Sequence, residues 1–509
     1  MPSTTKSQDL GFTSYMIMCA CVAAISGFTV GWHISVPNMP QAVITQCTDG
    51  TISATSLPAC LPMSDFTWGY TIGAFPIGGF FGSIASMYLN NKYGRRANML
   101  IACAWMIAGG ILSSCAINIV MYSFGRAFVG VASGMSGSSV AIYVSEISTT
   151  KSRGALGSLF ELFLNTGILI TQICGMYMST ANAWRFLWAI PTFLAAIQAV
   201  LLVFFVVESP RYLCSTKEYD PACAALQRLR SDADIEEEFA EMLAARQREE
   251  NGRPSMNIWD IIVLKDKTIS WNTVIVMVLQ AYNQVGGIGP ISVYSVGFLT
   301  KIFNGDSSLA TDISLAAAAG NIVAVFIAIG FMNRVGRKGF MLISTAGTCI
   351  ASIMMVVGSS GGTKLAPLVI TSVLLFTFTY SMGCGVIPWM IAPELLPLHA
   401  LSAGSALGNG ANWLCNFIIN TVWPYMDANL KEYSFTVFVA LNFVAFVFLL
   451  IFMPETTGRD IDFNEETTIK DDAEFTVDGR GSAIVNTNTN SDGTDELATF
   501  KTEHINHKH

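Results

Sequence analysis

Polar side chains able to hold a small polar molecule recur inside long apolar stretches of this sequence. Residues 157–167 read GSLFELFLNTG and continue as ILITQICGMYM, which places Glu161 and Asn165 in an otherwise apolar segment. An acidic residue at the centre of a membrane helix costs roughly 2.5 to 3.5 kcal/mol, so this carboxylate is expected to face a polar interior. Later apolar stretches contain Gln280, Asn283, Gln284, Asn321, Trp389, Asn412, Trp413 and Asn416.

The chemistry that these side chains offer is hydrogen bonding and stacking. Each carboxamide both donates and accepts hydrogen bonds, and an indole ring stacks on an apolar ring face. The alternative role, hydrogen bonding between helices, is worth about 0.6 kcal/mol on average, and both roles stay open for Asn165 and Gln280. No metal-spaced His/Cys cluster occurs, and the HINHKH ending is irregular. An enzyme is therefore the least favoured class, and neither a metal nor a cofactor is expected.

The composition predicts that these residues belong to membrane-spanning helices. Hydrophobic residues make up 52% of the 509 positions and charged residues only 13%, whereas a soluble protein carries about 25% charged residues. A stretch of about 20 apolar residues crosses a hydrocarbon core of about 30 Å. Such spans are predicted at 13–35, 66–89, 97–117, 119–143, 156–178, 184–206, 271–299, 311–332, 339–358, 366–391, 402–424 and 433–453. The predicted fold class is an all-α membrane protein with twelve transmembrane helices.

The positions of Lys and Arg predict that both termini are cytoplasmic. With the N-terminus inside, the most basic connections all fall on the cytoplasmic side, where positive residues concentrate; they are 92–96, 151–153 and 334–338. The first loop on the opposite side, 37–65, has neither Lys nor Arg. Cys47 and Cys60 lie in that loop and either form a disulfide in an oxidising exterior or stay free.

The chain has the pattern of a duplication. Three pairs of motif residues are separated by nearly the same number of positions along the sequence. Arg95 in NKYGRRANML pairs with Arg337 in NRVGRKGFML, Glu146 with Glu394, and Glu208 with Glu455. These repeats imply two six-helix halves related by an axis along the membrane normal. The predicted domains are an N-terminus (1–12), a first bundle (13–207), a cytoplasmic helical linker (208–268), a second bundle (269–455) and a mostly disordered cytoplasmic tail (456–509).

Seven motifs in order resemble those of the sugar porter family of the major facilitator superfamily, and more closely its GLUT-type facilitative glucose transporters. They are GGFFGSIASMYLNNKYGRRANML, GRAFVGVASGMSGSSVAIYVSEISTTKSRGALG, ESPR, NRVGRK, IPWMIAPEL, NWLCNF and PETTGR, and they cover residues from about 12 to 463. The resemblance implies a monomeric carrier in the lipid bilayer that moves a hexose or related sugar by alternating access. It implies one substrate site near the midplane and no nucleic-acid partner.

In the family, charge pairs latch the two halves together on the inner side. Arg offers a planar fork that binds carboxylates bidentately; the alternative is that these arginines only set topology. Leu401 stands where the family usually has an arginine, so a weaker latch is expected there, and Leu401→Arg is expected to slow transport. The expected gate residues are Arg95, Arg96, Glu146, Arg153, Glu208, Arg334, Arg337, Glu394 and Glu455.

The resemblance also assigns sugar-contacting positions, and several are altered. Gln284, Asn321 and Trp389 match the family, and Glu161, Asn283, Asn412, Trp413 and Asn416 complete the expected substrate site. Glu161 replaces a glutamine, Asn283 another glutamine and Gly289 an asparagine. Further departures are Ser292 and Val293 in place of aromatics and Ser381 in place of a glutamate. Glucose, another hexose, a pentose, a polyol and a charged sugar derivative therefore all stay open as substrates.

The energy source is predicted from span 1. Proton-coupled relatives usually carry an aspartate there, opposite the arginine of the GR motif. Thr29 is assigned to that position and Arg126 is retained, which favours facilitated diffusion. His33 is interpreted as a hydrated histidine near the outer interface. Glu161 leaves four readings open: a neutral group that acts like an amide, a partner of Arg126, a proton carrier in a symporter, or a partner for a cationic substrate.

A non-transporting nutrient sensor of the same fold is the alternative class. Sensors that resemble the family tend to have much longer tails than residues 464–509. The plasma membrane is the preferred location, and a vacuolar or other organelle membrane stays open.

Overall fold

The computed structural model describes residues 11–46, 57–149, 151–231, 233–251, 256–456, 475–477 and 483–485. The chain divides into two units, 1–458 and 459–509. Cys60 is disulfide-bonded, whereas Cys47 lies outside the described residues.

Eight helices occur in the described residues of the first half of the larger unit. Thr13, Ser64 and Asn118 cap the helices that follow them, because each side chain accepts a hydrogen bond from a backbone N–H of the first turn. The helices are α1 (Ser14–Ser35), α2 (Gln41–Thr45), α3 (Asp65–Tyr93), α4 (Arg95–Ser114), α5 (Ile119–Ile147), α6 (Arg153–Gly157), α7 (Leu159–Met178) and α8 (Trp184–Phe204).

The linker contains four helices in the part of it that the structure describes. The buried guanidinium of Arg230 pairs with Glu238 at 2.6 Å and donates to the carbonyl of Ile147 at 2.8 Å, which fixes the linker to the end of α5. We call this end of the bundle the linker side. The helices are α9 (Pro210–Ser215), α10 (Tyr219–Arg230), α11 (Glu236–Asn251) and α12 (Ile258–Ile262).

The second half repeats the layout of the first. It consists of α13 (Lys267–Val285), α14 (Ile288–Ile302), α15 (Ser307–Val335), α16 (Arg337–Ser360), α17 (Ala366–Met382), α18 (Ile387–Met390), α19 (Ala392–Leu395), α20 (Leu398–Leu430) and α21 (Thr436–Phe452), with 3₁₀ turns at Gly362–Leu365 and Lys431–Tyr433.

The predicted helical membrane fold is confirmed. Each predicted span coincides with a helix or with a pair of helices separated by a short break. Within the described residues, ten helical segments are long and apolar enough to cross a membrane, and α20 with α21, which meet at 98°, pass the same test only jointly. The description all-α omits one detail. In the smaller unit, β1 (Phe475–Val477) pairs antiparallel with β2 (Ala483–Val485), with Thr476 opposite Ile484.

Glycines allow α3 and α5 to approach closely. A Cβ added to Gly130 would collide with the carbonyl of Phe75, and one added to Gly134 would collide with the carbonyl of Gly79. Small residues at such crossings let backbones pack directly, which is the main source of helix association in a bilayer. The α3–α5 contact therefore fixes one wall of the first half.

Replacing Gly130 by Ala is expected to destabilise the protein by about 1 to 3 kcal/mol, because the obstructing atom belongs to the backbone and cannot rotate away. Gly330 in α15 is the matched control, since a Cβ there meets open space, and Ala favours a helix by up to about 1 kcal/mol. Thermal unfolding of the purified variants measures both changes. Equal melting temperatures for Gly130→Ala and the unmodified protein would contradict the packing argument.

Candidate functional site

A cavity lies between the two halves, with an empty volume of about 740 Å³ that includes space open to solvent. Apolar side chains such as Ile34, Ile72 and Ile288 form part of its wall. Its polar and aromatic lining comprises Phe75, Arg126, Glu161, Asn165, Asn283, Gln284, Ser292, Asn321, Tyr380, Trp389, Asn416 and Asn420.

Three of the helices around this cavity are interrupted where they reach it. α6 and α7 are separated at Ser158, α13 and α14 at Gly286–Gly287, and α17 and α18 at 383–386. Gly287 has a φ of 108°, a conformation that favours glycine, and its α-carbon faces the ring of Phe438. Irregular backbone in a membrane is tolerated where it lines a cavity. The breaks therefore bring polar groups to one place.

Glu161 lies in the first turn of α7, just after the break. Asn165, one turn later, donates from Nδ2 to the Glu161 carbonyl and to Oε1, both at 2.9 Å. The second carboxylate oxygen has no hydrogen-bond partner among the described residues. Because Glu161 lines the cavity, this oxygen is available to accept a hydrogen bond from a ligand hydroxyl. A negative group is also favoured in a first helical turn.

Arg126 and Glu161 line the same cavity, but they do not form the ion pair that was one of the four readings. In the described structure, the Arg126 guanidinium donates to the carbonyl of His33 at 2.8 Å. It also lies 4.8 Å from the ring of Phe75 and 5.2 Å from that of Trp188. These contacts direct the cation toward α1 rather than toward α7.

One expectation for α1 was wrong, and it concerns His33. Arg126 meets α1 through the backbone carbonyl of His33, whereas Thr29 donates to the carbonyl of Ser26; the assignment of Thr29 to the position of the aspartate stays a prediction. The expectation of a hydrated histidine near the outer interface was wrong, because the His33 side chain is fully buried. Neither ring nitrogen has a hydrogen-bond partner among the described residues. Its ring packs beside Trp188 at 5.8 Å.

Amide side chains of α13 and α20 form a continuous network beside the cavity. Asn412 donates from Nδ2 to the carbonyl and to Oε1 of Gln280, and to Oδ1 of Asn283, each at 3.0 Å. Gln284 donates to Asn283 at 2.7 Å and accepts from Asn416 at 2.9 Å. Asn283, Gln284 and Asn416 also line the cavity, as expected.

Asn412 and Trp413 do not line the cavity, contrary to the expectation for a substrate site. Asn412 is buried behind the network, where its donors and acceptor are used by α13. Trp413 packs edge-on against Phe75 at 5.5 Å and lies against Gly79, so it joins α20 to α3. By contrast, Trp389 reaches the cavity beside the ring of Phe160.

Asn321 and Asn420 present unused polar atoms. Oδ1 of each is buried and has no hydrogen-bond partner among the described residues, a costly state unless a ligand or water supplies one. Asn420 was missed from the sequence. The signal was present, because Asn412, Asn416 and Asn420 recur every four residues and therefore share one face of α20.

The expected gate residues form pairs within each half. Arg95 contacts Glu146 at 2.6 Å, and Arg337 contacts Glu394 at 3.1 Å. These two pairs do not bridge the halves in this conformation, and a latch between the halves stays a prediction. Each pair fixes the linker-side end of its own bundle.

Glu208 and Glu455 have matching roles at the starts of α4 and α16. Glu208 accepts hydrogen bonds from the backbone N–H groups of Arg95 and Arg96, and Glu455 accepts from those of Arg337 and Lys338. A carboxylate at a helix N-terminus is stabilised by the helix dipole. This repetition is the duplication predicted from the motifs.

The other expected gate residues have different surroundings. Arg96 donates to the carbonyls of Leu202 and Val203, tying α4 to α8. Arg334 is exposed and lies over the ring of Phe331, and Arg153 begins α6. Leu401 is partly buried and packs against a hydrophobic cluster that includes residues of both halves.

Hydrogen bonds that do cross between the halves involve residues missed from the sequence. Beyond the end of α1, Asn38 donates to Ser295 at 3.0 Å and accepts from the backbone of Val296 at 3.2 Å. Nearer the linker side, Asn409 donates to Ser138 at 2.9 Å. These contacts flank the cavity along the helix axes. Among the described residues, no group of three His, Cys, Asp or Glu side chains could hold a metal.

Replacing Asn412 by Ala is expected to lower thermal stability by about 1 to 3 kcal/mol, because the buried Oε1 of Gln280 loses its donor, whereas Asn283 still accepts from Gln284. Asn321→Ala is the matched control, since it removes an atom that has no partner in the protein. Asn321→Ala should keep the melting temperature and weaken ligand affinity. Thermal unfolding and ligand-binding assays measure both variants. Equal melting temperatures and equal ligand affinities for Asn412→Ala and Asn321→Ala would contradict this division of roles.

Comparison with known proteins agrees with this architecture. The family model described as Sugar (and other) transporter matches residues 19–466. The facilitated glucose transporter member 4 of solute carrier family 2 from Bos taurus is 31% identical over 464 residues, covering 88% of this chain and 90% of that protein. Member 3 from Oryctolagus cuniculus is 30% identical over 460 residues, covering 88% and 91%.

Solved structures share the fold. The xylose transporter XylE from E. coli, in a partially occluded inward-open conformation, superposes with a TM-score of 0.72 at 19% identity, covering 88% of this chain and all of that one. The proton:xylose symporter XylE bound to 6-bromo-6-deoxy-D-glucose gives 0.73 at 19% identity, covering 89% and 99%. With this architecture, and with a family model that spans most of its length, the chain belongs to the Sugar (and other) transporter family.

Proposed function

We propose that this protein carries a hexose or related sugar across its membrane by alternating access. The observation that carries the proposal is the cavity between the halves, whose polar atoms suit several hydroxyl groups at once. Asn321 and Asn420 offer unpaired oxygens, Glu161 offers a free carboxylate oxygen, and Trp389 offers an indole face. The relatives named as glucose transporters support the same substrate class.

Alternating access requires that contacts on either side of the cavity break in turn. The bonds of Asn38 to Ser295 and of Asn409 to Ser138 join neutral groups across the halves. A neutral hydrogen bond contributes only about 0.5 to 1.5 kcal/mol net. Such contacts hold the halves together without preventing either side from opening.

Facilitated diffusion is the preferred mode. Arg126 donates to the carbonyl of His33 and lies beside two aromatic rings, while its Nε has no hydrogen-bond partner among the described residues. No carboxylate of the described residues pairs with Arg126, so the acidic partner that proton-coupled relatives use there is missing. The substrate gradient would then be the sole driving force. We further propose that the protein acts as a monomer in the plasma membrane with both termini and the linker in the cytoplasm, as the basic connections favour.

Proton-coupled transport is the second candidate, and one observation favours it. Glu161 is a buried carboxyl group in the cavity whose contacts come from an amide rather than from a cation. A carboxyl group in this setting is suited to exchanging a proton as the cavity opens to either side.

Uptake of radiolabelled sugars into liposomes containing the purified protein distinguishes these modes. With a panel of hexoses, pentoses and polyols, we expect flux that ends at equal concentrations with or without an imposed pH gradient. Glu161→Gln keeps the shape and one acceptor oxygen, so uptake should persist with an affinity changed by about tenfold or less, as for one altered hydrogen bond.

Two outcomes would contradict the proposal. Accumulation above equilibrium that depends on the pH gradient and disappears in Glu161→Gln would establish the symporter instead. Saturable sugar binding without any flux would identify a sensor. Gly330→Ala, at a position in open space, controls for non-specific effects of substitution.

A further inference from the structure

A second cavity, of about 610 Å³, lies at the linker side, away from the substrate cavity. It is formed where the end of α8 meets the start of α4 and helix α10 of the linker. Arg96 and Arg228 contribute the cationic side chains of its lining, and Phe204, Phe205 and Pro221 contribute apolar ones. No step of sugar transport described above uses this cavity.

The two arginines differ in how far their donors are already used. Arg96 directs Nε and Nη2 to the carbonyls of Leu202 and Val203, which end α8. Arg228 lies over the ring of Tyr15 at 4.9 Å, and that contact consumes none of its N–H groups. Its side chain is exposed. Arg228 therefore has a full fork of donors available to an anion.

The acidic side chain in the lining does not neutralise this charge at short range. Both carboxylate oxygens of Glu208 accept hydrogen bonds from backbone N–H groups of Arg95, Arg96 and Ser209. Burial also raises the pKa of Glu208. The cavity consequently presents a cationic site to an incoming ligand.

The rim of the cavity is suited to contact with lipid. The side chains of Phe204 and Phe205 are 74% and 50% exposed, at the point where the membrane-spanning helix α8 ends. Tyr15, at the start of α1, donates to the carbonyl of Phe205 at 2.8 Å and so lies at the same level. Aromatic residues concentrate at this boundary between hydrocarbon and headgroups.

We propose that this cavity binds the phosphate of an anionic phospholipid, with the phosphate at Arg228 and the acyl chains along the exposed end of α8. Basic pockets beside membrane helices bind such headgroups, and a guanidinium fork matches phosphate oxygens. The proposal rests on the cytoplasmic orientation of the linker, because anionic lipids are concentrated in that leaflet. It does not depend on which sugar is carried.

Bound lipid would connect two parts of the molecule. Arg228 belongs to α10 of the linker, whereas Phe204 and Phe205 belong to the end of α8. A phospholipid held by both would stabilise the docking of the linker on the first half. The anionic lipid content of the membrane would thereby influence the stability of the carrier.

Native mass spectrometry of the full-length protein released from nanodiscs tests this site. The nanodiscs contain phosphatidylcholine either alone or with one-fifth phosphatidylserine. We expect one retained phosphatidylserine per protein, and retention about fivefold weaker in Arg228→Gln, as expected for losing one cationic contact with an anionic lipid. Arg211→Gln is the matched control, because Arg211 belongs to the same linker but does not line the cavity.

Thermal unfolding in the same nanodiscs provides a second readout. Phosphatidylserine should raise the melting temperature of the unmodified protein and of Arg211→Gln more than that of Arg228→Gln. Equal retention by both variants would overturn the proposal. Full displacement of the lipid by millimolar inorganic phosphate would also overturn it, since the site would then recognise free phosphate. Failure of sugar flux alone would leave these readouts unchanged.

Discussion

Inside a bilayer, an amide side chain has few hydrogen-bond partners beyond protein and whatever occupies a cavity, and this constraint organises the second half. Gln280, Asn283 and Gln284 on α13 bind Asn412 and Asn416 on α20. Behind the cavity, Asn412 uses both its donor and acceptor atoms within the protein. At the cavity, Asn321 and Asn420 keep buried oxygens without partners. The amides behind the cavity are therefore fully hydrogen-bonded and belong to the scaffold, whereas Asn321 and Asn420 at the cavity keep unpaired oxygens and belong to the binding surface. This division explains why so many polar residues are tolerated in these spans.

Interrupted helices form the other walls of the cavity. At the breaks at Ser158, at Gly286–Gly287 and at 383–386 the regular helical backbone pairing is interrupted, and each break adjoins residues that line the cavity. Glu161 follows the first break, Gln284 precedes the second, and Gly385 lies in the third. A Cβ on Gly385 would lie 3.3 Å from Oε1 of Glu161, so the third break leaves just enough space for the carboxylate. Ion pairs at the linker side then fix each bundle separately, and neutral hydrogen bonds such as that of Asn409 to Ser138 join the halves.

The sequence predicted the twelve helical segments and the duplication, because apolar length and repeated motifs determine both. It also predicted most of the cavity wall, since Glu161, Asn283, Gln284, Asn321, Trp389 and Asn416 all reach it. It could not separate Asn412 from Asn416, because residues four apart share a helix face and only packing against α13 distinguishes them. The burial of His33 was missed for a related reason. Its place near the end of α1 suggested an interface, and only packing beside Trp188 shows that the ring is buried. The spacing of the motifs along the sequence does not show which gate residues lie close together in space, so their pairing within each half could not be predicted.

The central claim is that the cavity between the halves is the sugar site, with Glu161 as part of its wall. Determining the structure of the protein in nanodiscs with its transported sugar bound tests this most directly. We expect the sugar to lie within hydrogen-bond distance of Asn321 and of the free oxygen of Glu161, with one face against Trp389. A sugar bound elsewhere, or one bound in this cavity without contact to Glu161 and Asn321, would contradict the account.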